Sequence, residues 1–138
     1  MKTHLGDCRE PGEGFEFLGY RFEAGRRWVR NKSLARFKGS IRAKTRRTCG
    51  TSLARVIADL NPLLRGWFGY FKHATHVEFE TLDGFIRRRL RAFLHKQEDK
   101  RPAFGCSLLD HQRWPNAFFA EAGLFALHTA WQNARHSR

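Results

Sequence analysis

The segment from Ser52 to His73, SLARVIADLNPLLRGWFGYFKH, restricts the possible folds of this chain more than any other. Its first half carries apolar residues at Leu53, Val56, Ile57 and Leu60. This spacing is typical of an amphipathic helix. The residue before a proline is disfavoured in the α region, so Asn61-Pro62 interrupts the pattern. The sequence therefore predicts that one helix ends at Asn61, which caps a second helix with Pro62 at its first position.

The second half of the segment predicts a helix with a broad apolar arc. The arc consists of Leu63, Leu64, Trp67, Phe68, Tyr70 and Phe71. Gly66 and Gly69 lie together on one flank of this helix. Two glycines lower the intrinsic helix propensity by roughly 2 kcal/mol. We therefore expect another segment to approach that flank closely.

The segment that precedes this pair of helices is strongly basic. The chain has a formal net charge of +13, which favours a polyanionic partner, with nucleic acid first. Seven of these charges, with no acid among them, lie between Lys32 and Thr51: Lys32, Arg36, Lys38, Arg42, Lys44, Arg46 and Arg47. Ser33 is a plausible N-cap for a helix through Arg47, and mutual repulsion of its cations favours phosphate binding over simple solvation. Ribosomal proteins and membrane-surface helices share this composition, so charge alone does not choose a function.

Two further elements flank the basic and central helices. Phe15 to Phe22 predicts a strand that returns, after a turn at Glu23-Ala24-Gly25, as a second strand from Arg26 to Arg30. After a connector from Ala74 to Thr81, an amphipathic helix is predicted, with Asp83 near its positive N-terminal end. Its apolar residues are Leu82, Phe85, Ile86, Leu90, Phe93 and Leu94.

The arginines of that amphipathic helix are predicted to divide between two environments. Arg87, Arg88 and Arg91 share the face opposite the apolar arc. Arg89 falls within the arc, where a pair with a carboxylate is favoured over contact with RNA.

Several motifs occur in one order along the chain: Leu60-Asn61-Pro62, Arg65-Gly66-Trp67, Tyr70-Phe71, Leu82-Asp83 and Arg88-Arg89-Leu90-Arg91. In order and spacing they resemble the maturase-specific domain, also called the X or thumb domain, of group II intron reverse transcriptases. The Phe17-Leu18-Gly19 hairpin is similar to the one that closes the palm of these enzymes. The stretch from Trp114 to Leu127 is similar to the segment that follows their thumb, and two short helices meeting near Gly123 would fit it.

The resemblance implies a mainly α fold, a thumb-like helical bundle with an N-terminal β-hairpin and a short helical C-terminal segment. It divides the chain into a lead-in and hairpin (1–31), the maturase-specific domain (32–101) and a C-terminal helical extension (102–138). The expected core residues are Leu60, Trp67, Tyr70, Phe71, Phe85, Leu90 and Phe93. Trp114, beside a proline, is the aromatic residue with the best prospect of exposure, although packing is equally compatible with its context.

By the same resemblance, the region grips structured intron RNA for splicing and cradles the template–primer duplex during copying. We expect the phosphate contacts at Lys38, Arg42, Lys44, Arg46, Arg47, Arg65, Lys72, Arg87, Arg88 and Arg91. The expected partners are group II intron RNA, an RNA/DNA duplex and the palm and fingers of the same enzyme. A chain that starts at Met1 without a palm would be a truncated product, one piece of a split protein or an excised domain.

The residues needed for catalysis are missing from the sequence. Reverse transcriptases hold two magnesium ions with the aspartates of a YxDD turn and an upstream Asp, and this chain has no such turn and no adjacent aspartates. His73, His76 and His95 match no known spacing of metal ligands, and the three cysteines include no CxxC pair. We therefore expect a non-catalytic chain without cofactor or metal. The start of the chain lacks the apolar segment of a signal peptide, so a cytoplasmic location without membrane contact is expected.

Two other functions remain open from the sequence. One is a DNA-binding module of a mobile-element protein, because duplex DNA attracts the same cations. The other is an assembly piece that complements a separately encoded polymerase palm.

Overall fold

The fold, in a computed structural model, is mainly helical, which confirms the predicted class. The structure describes residues 14–17, 19–23, 25–46, 51–99 and 108–136. Within these ranges a small antiparallel sheet is followed by six helices. Arg47, the predicted end of the basic helix and one of the predicted phosphate contacts, lies outside the described residues.

The N-terminal sheet has three strands in the order β1-β2-β3: Gly14–Phe17, Tyr20–Glu23 and Arg26–Val29. The prediction of one strand from Phe15 to Phe22 is therefore wrong. Gly19 has φ +85°, a left-handed conformation that glycine adopts without strain, and it permits the chain to reverse between β1 and β2.

The sheet packs on the end of the central helix and on the loop that follows. A Cβ atom on Gly19 would come within 3.2 Å of Phe71 Cε1. The Tyr20 hydroxyl donates to the carbonyl of Tyr70 at 3.1 Å, and the amide of Thr75 donates to the carbonyl of Arg27 at 2.8 Å. The predicted burial of Tyr70 is wrong, because this side chain lies at the edge of the contact and is 60% exposed.

Helix α1 runs from Asn31 to Lys44, so it starts three residues earlier and ends three residues earlier than predicted. Ser33 is not its cap, because the helix begins directly after Arg30 and has no side-chain cap. Its inner face buries Phe37 and Ile41. Phe37 stacks on Trp67 of the central helix, with ring centroids 4.2 Å apart and planes 7° from parallel.

Helix α2 runs without interruption from Leu53 to Phe71. Ser52 caps it, since its hydroxyl accepts from the amide of Arg55 at 3.3 Å. The predicted break at Asn61-Pro62 is wrong. Leu60 and Leu64, on either side of the proline, are both fully buried, and one continuous helix places both on the same core. Pro62 itself is exposed, so the carbonyl that loses its partner to the proline lies toward the solvent side of the helix.

The glycines of α2 do not accommodate another part of the chain. A Cβ atom on Gly66 or Gly69 would meet nothing within 4 Å in the described residues. The predicted close approach is therefore wrong for the fold itself, and both glycines lie on the exposed side of the helix.

Helix α3 runs from His76 to Asp99, so most of the predicted connector is helical. Phe79 is fully buried, and its position one turn before Leu82 extends the apolar stripe toward the N-terminus. The predicted stripe is confirmed, with Phe85 half-buried at its margin. Its fully or nearly fully buried members are Leu82, Ile86, Leu90, Phe93 and Leu94.

Three short helices complete the chain: α4 (Leu108–Arg113), α5 (Asn116–Glu121) and α6 (Leu127–His136). The two helices predicted to meet near Gly123 are α5 and α6, and Gly123 has φ +95° between them. Trp114 is 5% exposed and belongs to the core, which excludes the exposed alternative. Helix α6 packs mainly on α3 and also on α2.

Candidate nucleic-acid interface

Two basic side chains of α1 lie over the ring of Phe85, which belongs to α3. Lys38 Nζ lies 5.5 Å from the centre of this ring, and Arg42 Cζ lies 5.3 Å from it. These two cations are one turn apart on α1. Arg88 is exposed and follows Phe85 by three residues, so it is its neighbour on the surface of α3. We call the surface formed by Lys38, Arg42, Phe85 and Arg88 the Phe85 face.

Arg89 fixes the two helices that form this face. Its Nε donates to the hydroxyl of Thr45 at 3.1 Å, and its Nη2 donates to the carbonyls of Arg42 and Thr45, each at 3.3 Å. A guanidinium at the C-terminus of α1 interacts favourably with the negative end of that helix. These hydrogen bonds give Arg89 a structural role through a hydroxyl and two carbonyl groups, and its predicted pair with a carboxylate stays a prediction.

One carboxyl group lies close enough to the Phe85 face to affect its charge. Burial raises the pKa of Glu78, and the positive charges of Arg21 and Lys38 act in the opposite direction. The basic segment of α1 contains no acid of its own, and Glu78 of α3 is therefore an acidic neighbour of its Lys38. The charge of Lys38 is therefore partly compensated when Glu78 is ionised.

The other predicted phosphate-binding residues lie in several places. Lys44 and Arg46 are exposed at the end of α1. Arg65 is exposed on α2, with its Cζ 5.6 Å from the centre of the Phe125 ring. Lys72 lies at the mouth of a cavity between α2 and α6.

Arg91 does not share the exposed face of α3, and this part of the prediction is wrong. The residue is 2% exposed. Its Nε donates to the carbonyl of Trp114, and its Nη2 donates to Oδ1 of Asn116, both at 2.8 Å. Burial and the neighbouring charge of Arg87 lower the pKa of Arg91. Arg87 is half-buried and interacts with Asp83, on the flank of α3 that lies away from α1.

Asp83 was expected to favour the N-terminus of its own helix, and it instead caps α6. Its two carboxylate oxygens accept from the amides of Leu127 at 2.9 Å and His128 at 3.0 Å. Burial raises the pKa of Asp83, and these two hydrogen bonds oppose the increase.

Asn61 of α2 binds the connector between α5 and α6. Its Nδ2 donates to the carbonyl of Gly123 and its Oδ1 accepts from the amide of Phe125, at 2.9 and 2.8 Å. Three polar side chains thus bind the C-terminal part of the chain, each through two hydrogen bonds: Asn61, Asp83 and Arg91.

The sequence reasoning missed the aromatic cluster of α6. Trp131 stacks on His128 with centroids 5.5 Å apart, and Arg135 Cζ lies 4.9 Å from the indole centre. The signal that could have revealed it is the spacing of these residues at i, i+3 and i+7, which places them on one side of a helix.

Neither a metal-binding cluster nor a membrane-spanning helix occurs in the described ranges of the chain. No group of three or more His, Cys, Asp or Glu side chains there could hold a metal ion. None of the helices in those ranges is long and apolar enough to cross a membrane.

The family of the chain follows from its middle part. A family model for the group II intron, maturase-specific domain, matches residues 34–106. The match covers more than half of the chain, from the first turn of α1 to the region after α3. The chain belongs to the group II intron maturase family. A search of curated proteins found no match.

The maturase-specific domain is a non-catalytic domain of maturases, and it associates this chain with a group II intron and its RNA. The matched range contains the whole Phe85 face as well as Asn61, Asp83 and Arg91. The partners of these last three residues lie beyond the match, in the part of the chain after residue 106.

Proposed function

We propose that this chain is the RNA-binding thumb region of a group II intron-encoded reverse transcriptase. It would grip intron RNA for splicing and cradle the template–primer duplex beside a palm and fingers that supply the catalytic carboxylates. Residues 32–101 would form the gripping unit, after a hairpin that adjoins the palm and before a C-terminal helical extension. The single observation that carries this proposal is the Phe85 face within the range matched by the family.

The chemistry of the face suits a nucleic-acid backbone. Phosphate contacts from Lys and Arg dominate the affinity of proteins for nucleic acids, and they carry no sequence information by themselves. Arg42 is exposed although its guanidinium lies over Phe85, so the ring orders the cation without removing it from solvent. An ordered cation loses less conformational entropy when it binds a phosphate. Lys44 and Arg46, at the end of the same helix, extend the positive surface.

The test is a comparison of two triple variants of the full chain. One replaces Lys38, Arg42 and Arg88 with Gln and removes the cations of the Phe85 face. The matched control replaces Lys32, Arg36 and Arg55 with Gln, which removes the same charge from exposed positions of α1 and α2. Affinity for an in vitro transcribed group II intron RNA is measured over a range of salt concentrations.

The Phe85-face variant should bind more weakly, and the slope of log K against log salt should flatten by roughly 2 to 3 units. The control should change both quantities much less. Equal effects of the two variants would contradict the assignment of the interface, because only total charge would then matter. If duplex DNA competes as well as the RNA at matched salt, the chain is a DNA-binding module instead.

A further inference from the structure

A cavity of about 610 Å³ lies between the end of α2 and helix α6. Its lining residues are Lys72, His73, Trp131, Ala134 and Arg135. This volume is within the range of pockets that hold small organic ligands. Helix α6, which supplies three of the five residues, lies outside the range matched by the family.

Trp131 forms an aromatic wall of the cavity. The imidazole of His76 lies 5.0 Å from the indole, tilted by 32°, and that of His128 lies 5.5 Å from it, tilted by 27°. Side chains of helices α3 and α6 thus both contact the indole. The His128 ring is itself held by Glu80, with Nε2 3.2 Å from Oε1. The indole is therefore positioned in advance, which lowers the entropy that a stacking partner must overcome.

The remaining chemistry of the cavity is cationic. Lys72 and Arg135 are exposed side chains that line it, one from the end of α2 and one from α6. The residues that line the cavity in the described ranges include no acid. A fixed aromatic ring between two cations suits a ligand that has both a flat ring and a phosphate group.

We propose that this cavity binds one unpaired nucleotide of a single-stranded RNA segment, with its base stacked on Trp131 and its flanking phosphates bound by Lys72 and Arg135. The inference rests on the proposed RNA-binding function and adds a second subsite to it. A concave site of this size admits a single base, whereas a rigid duplex lies across its mouth. Recognition of single-stranded RNA by aromatic stacking and backbone cations is a general mode of binding.

The guanidinium of Arg135 must leave the indole of Trp131 before a base can stack on that ring. Its guanidinium now lies over the indole, 4.9 Å from the ring centre. A cation–π contact at an exposed site is weaker than the stacking of a nucleobase on an aromatic side chain. The base therefore takes the place of the guanidinium, which moves to the adjoining phosphate on its flexible stem.

The test uses the full chain, an unstructured RNA oligonucleotide and an RNA hairpin whose two strands are joined by a non-nucleotide linker, so that it has no unpaired base. The pocket variant carries Lys72→Gln and Arg135→Gln, two exposed substitutions that keep the contacts of Trp131 with His76 and His128. The matched control carries Lys32→Gln and Arg36→Gln. The pocket variant should bind the oligonucleotide on the order of tenfold more weakly, with a salt slope flatter by about 1 to 1.5 units. The control should bind the oligonucleotide like the parent, and both variants should bind the hairpin almost like the parent.

A second measurement locates the base. An oligonucleotide that contains 5-bromouridine is crosslinked to the parent chain by ultraviolet light, and the crosslinked peptide is mapped by mass spectrometry. The crosslink should fall on Trp131. Crosslinks confined to other parts of the chain would overturn the proposal, and so would a pocket variant that binds the oligonucleotide like the parent.

The two proposals fail in different ways. If the hairpin binds and the Phe85-face variant weakens it, while the pocket variant changes nothing, only the nucleotide site is refuted. If the parent binds neither RNA, both proposals are refuted. If polyglutamate displaces the oligonucleotide at the same concentration of charge, the cavity is a general anion site and the nucleotide assignment is wrong.

Discussion

Arg88 and Arg91 lie one turn apart on α3 and have the same side chain, but Arg88 is exposed and Arg91 is buried. This pair therefore provides the sharpest test of which arginines of α3 stabilise the fold and which are available to RNA. Arg91 is 2% exposed, and its guanidinium makes two 2.8 Å hydrogen bonds to the segment between α4 and α5. Hydrogen bonds from a charged donor contribute about 1.5 to 3 kcal/mol each. Part of this sum is offset by the desolvation of the guanidinium. We therefore expect Arg91→Met to lower the free energy of unfolding by about 3 kcal/mol.

The methionine retains an apolar side chain and removes the guanidinium, whose Cζ lies 5.4 Å from the centre of the Phe119 ring, so the loss combines the two hydrogen bonds with this cation–π contact. For a chain of this length, about 3 kcal/mol corresponds to a decrease in Tm of roughly 10 °C. Arg91→Lys keeps the positive charge and loses the planar fork, and it should also lower Tm. Arg88→Met is the matched control, and it should leave Tm almost unchanged while it flattens the salt slope of RNA binding by about one unit.

Tm is measured by circular dichroism, and RNA affinity is measured well below the Tm of the weakest variant. Under those conditions Arg91→Met should retain the salt slope of the parent. The opposite pattern would refute the reasoning: a parent-like Tm for Arg91→Met together with a flatter salt slope would place this guanidinium on RNA.

Two further predictions concern α3 and α2. Burial raises the pKa of Asp83 above its ordinary value of 3.8, so the folded chain takes up a proton at higher pH than the unfolded chain, and this group adds stability as the pH falls through its folded pKa. In urea unfolding, the stability of the parent relative to Asp83→Asn should therefore increase as the pH is lowered from neutral toward the ordinary value of 3.8, and a constant difference would contradict the assignment. Gly66 lies on the open side of α2, so Gly66→Ala should raise the free energy of unfolding by about 1 kcal/mol through helix propensity. Pro62→Gly serves as its control for backbone effects in the same helix, and an unchanged urea midpoint for Gly66→Ala would show that the alanine meets an obstacle.

The core of α3 could be predicted from the sequence because its information is local. Leu82, Ile86, Leu90 and Phe93 recur every three or four residues, and that spacing alone places them on one face. The same reasoning failed for Arg91, which lies on the polar side of the pattern. Helical spacing shows which residues share a face, and it does not show whether a later part of the chain covers that face. The covering residues Trp114 and Asn116 follow Arg91 by more than twenty positions.

The prediction at Pro62 failed for a related reason. A proline in a helix interior costs about 3 kcal/mol or more, and local propensity therefore favours a break. The apolar stripe of α2 continues across it, with Leu60 and Leu64 both fully buried in one core. Asn61 adds hydrogen bonds to Gly123 and Phe125, residues more than sixty positions away. Tertiary contacts thus keep α2 continuous although the local sequence at Asn61-Pro62 favours a break.

The two proposed RNA-binding surfaces depend on the same short part of α3. Phe85 and Asp83 are separated by two residues, or about 200° around the helix, so they lie on opposite flanks. Phe85 orders Lys38 and Arg42 on the flank toward α1. Asp83 binds the first amides of α6 on the other flank.

The position of Trp131 follows from this cap. Asp83 fixes α6 at Leu127 and His128, and Trp131 lies one turn after that fixed point, beside Lys72 at the end of α2. Because a cap restrains the start of a helix and the helix is stiff over one turn, loss of the cap would displace the aromatic wall without any change in its own residues. The polar residues Asn61 and Asp83 of the maturase-specific motifs would therefore act on RNA indirectly, by holding in place a helix that supplies the contacts.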